Sequence, residues 1–273
     1  MDVTRMDVTR SADGTAISYS SAGEGPGLVV VPGNNRRAHH YTEFVKALPR
    51  YRTHVLDRRG RGASGPQGAA YSIDREAEDI IAVAAATGAE LVFGHSYGGL
   101  GALHAALRRR FASIAVYEPG VSLGGGFPLG WLPEFNRRLA AGRHRAAMAL
   151  FTKRTGLVPV PASTPMAVHY GLAYLLLRGA DGAETQAMMP TTPAELGEIA
   201  RLDSDGSRYA AIDTPTLVLA GAKTVPYILE AMPRLAAIIP GARYEALAGV
   251  DHNAPDLNGP AVVARHVDAF FTR

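Results

Sequence analysis

The stretch Leu91-Val92-Phe93-Gly94-His95-Ser96-Tyr97-Gly98-Gly99 constrains the fold of this chain more than any other. A short apolar run reads as a strand, Leu100 to Arg110 reads as a helix, and a serine with a glycine two positions away on each side joins them. A turn that tight needs residues without a Cβ where backbones close on one another, and it lifts the serine above the sheet edge. That placement suits a nucleophile. A structural Gly-Ser turn is the plainer reading, and the strand before and helix after weigh against it.

The surrounding sequence supplies a sheet for such a turn. Asp13-Gly14 between extended stretches, the second being Thr15 to Ser20, predicts an antiparallel hairpin at one edge. Leu28 to Val31, Thr53 to Asp57, Leu91 to Phe93 and Ile114 to Tyr117 then read as strands, interleaved with helices near Tyr41 to Leu48, Ile73 to Thr87 and Leu100 to Arg110. Thr216 to Leu219 and Arg243 to Leu247 resume the pattern, and Ala261 to Phe271 closes it with a helix. Alternation of this kind predicts an α/β class, a mostly parallel, doubly wound sheet with right-handed crossovers. Between Val121 and about Ser207 it fails, leaving helical stretches around Phe135 to Thr152 and Met166 to Arg178 and a Pro-rich joint at Pro159, Pro161 and Pro165. The expected organisation is a core of residues 1–120 and 208–273 with a helical lid inserted at 121–207.

Composition removes several alternatives. With 47% hydrophobic and 19% charged residues the 273-residue chain can bury a large core. It has no cysteine, which excludes disulfides, thiolate metal sites and a cysteine nucleophile together, and agrees with a cytoplasmic location. The net charge of +3 is not gathered into a stripe. Arg108-Arg109-Arg110 complements a helix end more simply than it grips nucleic acid, so no nucleic-acid partner is expected. No run approaches 18 apolar residues, so no membrane span is expected. The pentad Met-Asp-Val-Thr-Arg occurs twice at the start, without the apolar run of a secretory signal, and reads as an alternative start or an expression scar.

A serine hydroxyl is a weak nucleophile until a base takes its proton. Of nine histidines, His252 has the positional argument: it follows the last strand and precedes the last helix, at the carboxyl edge where such sheets place their sites. His95 adjoins the serine, but its side chain should point away from that of Ser96. The other seven read as surface or core histidines.

Taken together, Val31-Pro32-Gly33-Asn34, Asp57-Arg58-Arg59-Gly60-Arg61-Gly62-Ala63-Ser64, the turn at Ser96 and Asp251-His252 resemble the α/β-hydrolase superfamily in order and spacing over almost the whole chain. The resemblance implies a mostly parallel eight-stranded sheet flanked by helices, and cofactor-free acyl transfer to Ser96 with His252 as general base and acid. It also implies an oxyanion held by the backbone N–H groups of Asn34 and Tyr97. The expected partner is a small to medium, largely apolar molecule carrying an ester, lactone or thioester. Carbon–carbon bond hydrolysis, a lyase or cyclisation step, and a non-catalytic binding member are the alternatives that this fold also hosts.

Two departures stand out. The first loop begins Pro32-Gly33 where the family usually has His-Gly, so a bond that braces the loop is lost or replaced. The family's usual acid position falls in Gly221-Ala222-Lys223-Thr224, which carries no carboxylate. Glu118, at the end of the strand Ile114 to Tyr117, is the expected substitute, ahead of Asp251, whose side chain is too close in sequence to face His252. Arg36 and Arg37 could clamp a substrate anion, or could be solvated or paired with acids such as Glu134. Phe127, Leu129, Trp131 and Leu132 could line a substrate cavity or form the core of the lid; Phe127, Trp131 and Arg36 are the candidate binding residues.

Overall fold

A computed structural model describes residues 5–273. Eight strands, β1 (Arg5–Arg10), β2 (Ala16–Ala22), β3 (Gly27–Val31), β4 (Arg52–Leu56), β5 (Leu91–His95), β6 (Ser113–Tyr117), β7 (Thr216–Gly221) and β8 (Arg243–Leu247), form one sheet in the order β1-β2-β4-β3-β5-β6-β7-β8. The β1–β2 and β2–β4 pairs are antiparallel and every other pair is parallel. The first turn is the expected Asp13-Gly14 hairpin: Gly14 has φ +82°, and the Thr15 N–H is capped by the Asp13 carboxylate at 3.0 Å. The second Met-Asp-Val-Thr-Arg copy begins right after Arg5 and makes up the rest of β1, so it has a place in the sheet; the expectation for Met1–Thr4 lies outside the described residues.

Helices α1 (Thr42–Lys46), α2 (Ile73–Thr87) and α3 (Tyr97–Ala106) follow β3, β4 and β5. Between β6 and β7 come α4 (Leu132–Ala140), α5 (His144–Thr155), α6 (Met166–Leu176), α7 (Gly179–Met188) and α8 (Thr192–Arg201); α9 (Pro226–Ile238) and α10 (Pro260–Phe271) complete the order. The central strands are buried on both faces, as their unbroken apolar runs require. Leu28 and Val30 pack with Phe44 of α1 and Val263 of α10, whereas Val29 and Val31 pack with Ile80 of α2 and Leu100 of α3. Each such side chain contributes roughly 1.5–3 kcal/mol on leaving water. No helix among the described residues is long and apolar enough to cross a membrane.

Three elements differ from expectation. The helix near Tyr41 to Leu48 is shorter, a 3₁₀ turn Ala38–Tyr41 running into α1. The helix after Ser96 starts at Tyr97 and stops at Ala106, so Arg108, Arg109 and Arg110 lie beyond its end, where they meet Asp74, Glu90 and Asp213 at 3.0, 2.5 and 3.6 Å. The stretch read as one helix around Phe135 to Thr152 is two, parted at Gly142, whose φ of +69° ends α4.

Candidate active site

The backbone of β5 ends in a turn that only small residues can build. A Cβ on Gly94 would stand 2.6 Å from the Gly98 carbonyl oxygen, and one on Gly98 would stand 2.3 Å from that of Val31. Ser96 is held at φ +54°, ψ −121°, a conformation unfavourable for an L-residue by about 1–3 kcal/mol. Its carbonyl repays this by accepting bonds from Gly99, Leu100 and Gly120, and its N–H donates to the Tyr117 carbonyl at 2.9 Å.

That turn brings Ser96 Oγ to 3.1 Å from His252 Nε2. His252 Nδ1 lies 2.6 Å from Glu118 Oε2, so the proton on Nδ1 faces the carboxylate and Nε2 presents its lone pair to the serine. Glu118, 1% exposed, sits at φ +44° at the end of β6. Gly221 N–H donates to its Oε1 and the Thr224 hydroxyl to its Oε2, both at 2.8 Å. The loop after β7, which lacks an acid of its own, thus orients the acid that β6 provides. Asp251 is turned elsewhere, accepting from Asn253 N–H and Asn258 Nδ2.

Beneath this row lies a second one that sequence reasoning missed. Gly33 N–H donates to the Tyr41 hydroxyl at 3.0 Å, that hydroxyl donates to His95 Nδ1 at 2.6 Å, and His95 Nε2–H donates to the His252 carbonyl at 2.9 Å. One buried imidazole ties the loop after β3 to the loop carrying His252. Its ring lies 5.0 Å from that of His252, and its two nitrogens are taken by the Tyr41 hydroxyl and the His252 carbonyl rather than by Ser96 Oγ. Burial pushes the His95 imidazole down to about 3, so it stays neutral and keeps one acceptor and one donor nitrogen, as this chain needs. A histidine beside a Gly-x-Ser-x-Gly serine together with a tyrosine eight residues past Gly33 was the available signal, but neither spacing carries a mechanism by itself.

Asn34, Ser96, Tyr97, Glu118 and His252 all line one narrow cavity, whose far wall is apolar: Phe127, Leu196, Ile199, Tyr227 and Ile228. A wider pocket of about 200 Å³ opens from the same serine and histidine toward Asn35, Arg36, Met148, Leu172 and Asp256. Phe127 therefore stands where expected, edge-on to Tyr227 at 5.1 Å. Trp131 does not. It is buried against Phe135 and Phe151 at 5.7 and 5.9 Å, with its indole N–H on the Pro128 carbonyl, and belongs to the core of the insertion. Arg36 borders the wide pocket but is not a free cation, because Asp256 pairs with it. Burial alone would raise the Asp256 carboxyl; Arg36 outweighs that and holds it below its ordinary range. Arg37 pairs with Asp57 and with Glu184 of α7, so an acid from residues 121–207 does meet it, but that acid is not Glu134, which pairs with Arg137 and Arg138.

His39, His40 and Glu184 bring their ligand atoms within 4.8 Å of one another at the rim. Arg37 already occupies one oxygen of that carboxylate, and none of the three lines the pockets at Ser96.

Comparison with known proteins agrees with this fold. The model of the alpha/beta hydrolase family matches residues 28–266. The chain belongs to that family. The hydrolase is similar to an alpha/beta hydrolase from Sphaerobacter thermophilus DSM 20745, with 29% identity and a TM-score of 0.81 over 97% of this chain and 100% of that one. It shares its fold with the esterase RhEst1 from Rhodococcus sp. ECU1013 (21% identity, TM-score 0.67, 98% of each chain). An esterase from Exiguobacterium antarcticum is similar in fold as well (18% identity, TM-score 0.73, 97% of this chain and 99% of that one). No curated protein matches the sequence.

Proposed function

We propose that this hydrolase cleaves an ester, lactone or thioester of a small to medium, largely apolar substrate through an acyl-enzyme on Ser96. The observation that carries the reading is the continuous row from Glu118 through His252 to Ser96, with separations of 2.6 and 3.1 Å. Ser96 Oγ attacks the carbonyl carbon as its proton passes to His252 Nε2, while Glu118 holds the imidazole's tautomer and stabilises the imidazolium. The N–H groups of Asn34 and Tyr97 receive the oxyanion. His252 then gives its proton to the departing alkoxide or thiolate. Water, deprotonated by the same nitrogen, releases the carboxylic acid and restores Ser96.

The two pockets that meet at Ser96 divide the substrate. The narrow apolar one suits the acyl chain, and the wider one, with the Arg36–Asp256 pair on its wall, suits the leaving group. The insertion between β6 and β7 supplies Phe127, Met148, Phe151 and Leu196 to these walls and so acts as the lid. Similar folds in proteins described as esterases support an ester as the bond cleaved.

A fluorophosphonate probe tests the mechanism. The wild-type enzyme should be labelled and should hydrolyse p-nitrophenyl esters, and Ser96→Ala should do neither. A wild-type enzyme that fails to label, or a Ser96→Ala variant that turns over as fast as wild type, overturns it.

A further inference from the structure

Nearly every α/β sheet can place a serine, a histidine and an acid at one edge; what holds this enzyme's oxyanion loop is particular to it. The family's bracing histidine is replaced by Pro32, and the Asn34 side chain, instead of facing substrate, donates to Glu195 Oε2 at 2.7 Å and to Thr192 at 3.3 Å. Glu195 comes from α8 of the insertion, 161 residues away in sequence, and is fully buried. Its two oxygens also receive Arg58, at 2.9 Å, and Arg61. Both arginines are themselves buried, and both donate to the carbonyl oxygen of Gly33, each at 3.3 Å. Arg58 in addition lies 4.9 Å over the ring of Tyr97 and pairs with Glu76 at 3.0 Å.

The Gly33 carbonyl and the Asn34 N–H belong to one planar trans peptide, so they point in opposite directions. Two guanidinium groups fixed on the carbonyl therefore aim the N–H away from themselves. Asn34 lines the cavity at Ser96 and neither arginine does. The same bonds polarise the peptide and strengthen its N–H as a donor. Unpaired, two arginines this deeply buried would repel one another and move apart; Glu76 pairs with Arg58, and Glu195 is the carboxylate that pairs with both and so keeps them side by side.

We infer that Glu195, acting through Arg58 and Arg61, is the positioning residue that sets the Gly33–Asn34 peptide for oxyanion binding. The inference rests on the acyl-enzyme reading above. It makes the insertion more than a cover: α8 carries the part that replaces the missing brace, so chemistry at Ser96 depends on the insertion being docked.

The test compares wild type with Glu195→Gln on a p-nitrophenyl ester, after counting functional sites by fluorophosphonate titration. Removal of one oxyanion donor costs about 10²- to 10³-fold in kcat. A donor that is mis-aimed but present should cost about 10- to 100-fold, with KM within about threefold, and a trifluoromethyl ketone that forms the tetrahedral adduct should weaken by the same factor as kcat/KM. A merely structural loss would lower the number of sites and leave both constants per site unchanged. That result, or kcat/KM per site within twofold of wild type, overturns the inference. Should Glu195→Gln not fold, Arg61→Lys, which keeps the charge but shortens the reach to Gly33, is read by the same criteria. Wild type that neither labels nor cleaves esters would instead refute the acyl-enzyme reading.

Discussion

Among the described residues, three that are not glycine have positive φ: Asn35, Ser96 and Glu118. All three stand at the candidate site, one in the loop after β3, one as the proposed nucleophile and one as the proposed acid. Strain of about 1–3 kcal/mol each is tolerated because bonds on either side fix the backbone, and each bent residue aims a group that a relaxed strand end would splay outward. The Glu118 carboxylate is held by two donors besides His252, and the two tests of it differ in size. Glu118→Gln should lower ester turnover by about 10²- to 10⁴-fold, because an amide can fix the wrong tautomer of His252, and a rate within a few-fold of wild type would remove Glu118 from the mechanism. Thr224→Val deletes one hydrogen bond to a carboxylate, of about 1.5–3 kcal/mol, so steady-state kinetics should show a fall in kcat of about 10- to 100-fold, toward the low end of the Glu118→Gln range. Ser96, His252 and Glu118 were legible in the sequence because each is fixed by its place at a strand end. Tyr41, His95 and Asp256 were not, since they act from beneath through bonds that join distant loops and leave no local pattern.

At the level of elements, the same contrast separates sheet from insertion. Strands buried on both faces are written as unbroken apolar runs, and a helix such as Ile73–Thr87 carries a marked stripe with Gly88 at φ +69° behind it, so these were read almost to the residue. Helices α7 and α8 were missed. Gly179–Met188 is Gly- and Ala-rich with no clear apolar face, and α8 follows within three residues, leaving no loop to announce it. Pro193 in its first turn with Glu195 shortly after is a helix-start signal, and the acid there turned out to be buried among arginines. Trp131 shows why aromatic clusters in an insertion are ambiguous: a short helical layer must build its own core before it can line anything. Truncating such an aromatic costs about 3–5 kcal/mol. Trp131→Ala should therefore lower the thermal midpoint while leaving KM for a short aryl ester within twofold. Phe127→Ala, on the cavity wall, should do the reverse and shift the preferred acyl length. Equal effects of the two on KM would reject the division between insertion core and cavity wall.

Across the whole molecule, the distribution of buried histidines sets a limit that neither the sheet nor the site sets alone. His54 on β4, His95 on β5 and His104 on α3 are each less than about 6% exposed, at 2%, 3% and 5%. Burial is the main cause that pushes His54 and His104 down to about 4 and His95 down to about 3, from an ordinary 6.5. In the unfolded chain all three take up protons as the pH drops through about 6.5, while in the folded protein they stay neutral until pH 4 or below. The unfolded state then binds more protons over that interval, so acid destabilises the fold by up to about 1.4 kcal/mol per pH unit for each histidine. Glu195 and Asp256, both held below their ordinary range by paired arginines, add a further loss only when the pH approaches 4. Stability should therefore begin to fall near pH 6, with Glu76 and Asp79, whose carboxyls burial raises, offsetting part of the loss once they take up protons within the fold. Against a total of about 5–15 kcal/mol, two pH units of this slope are enough to unfold much of the protein. Urea midpoints measured at intervals from pH 7.5 to 4.5 should decline steadily from about pH 6, and His104→Gln should reduce that slope by about a third. A midpoint constant down to pH 5 would mean that these imidazoles accept protons inside the fold, and the neutral His95 that links the oxyanion loop to His252 would have to be abandoned with it.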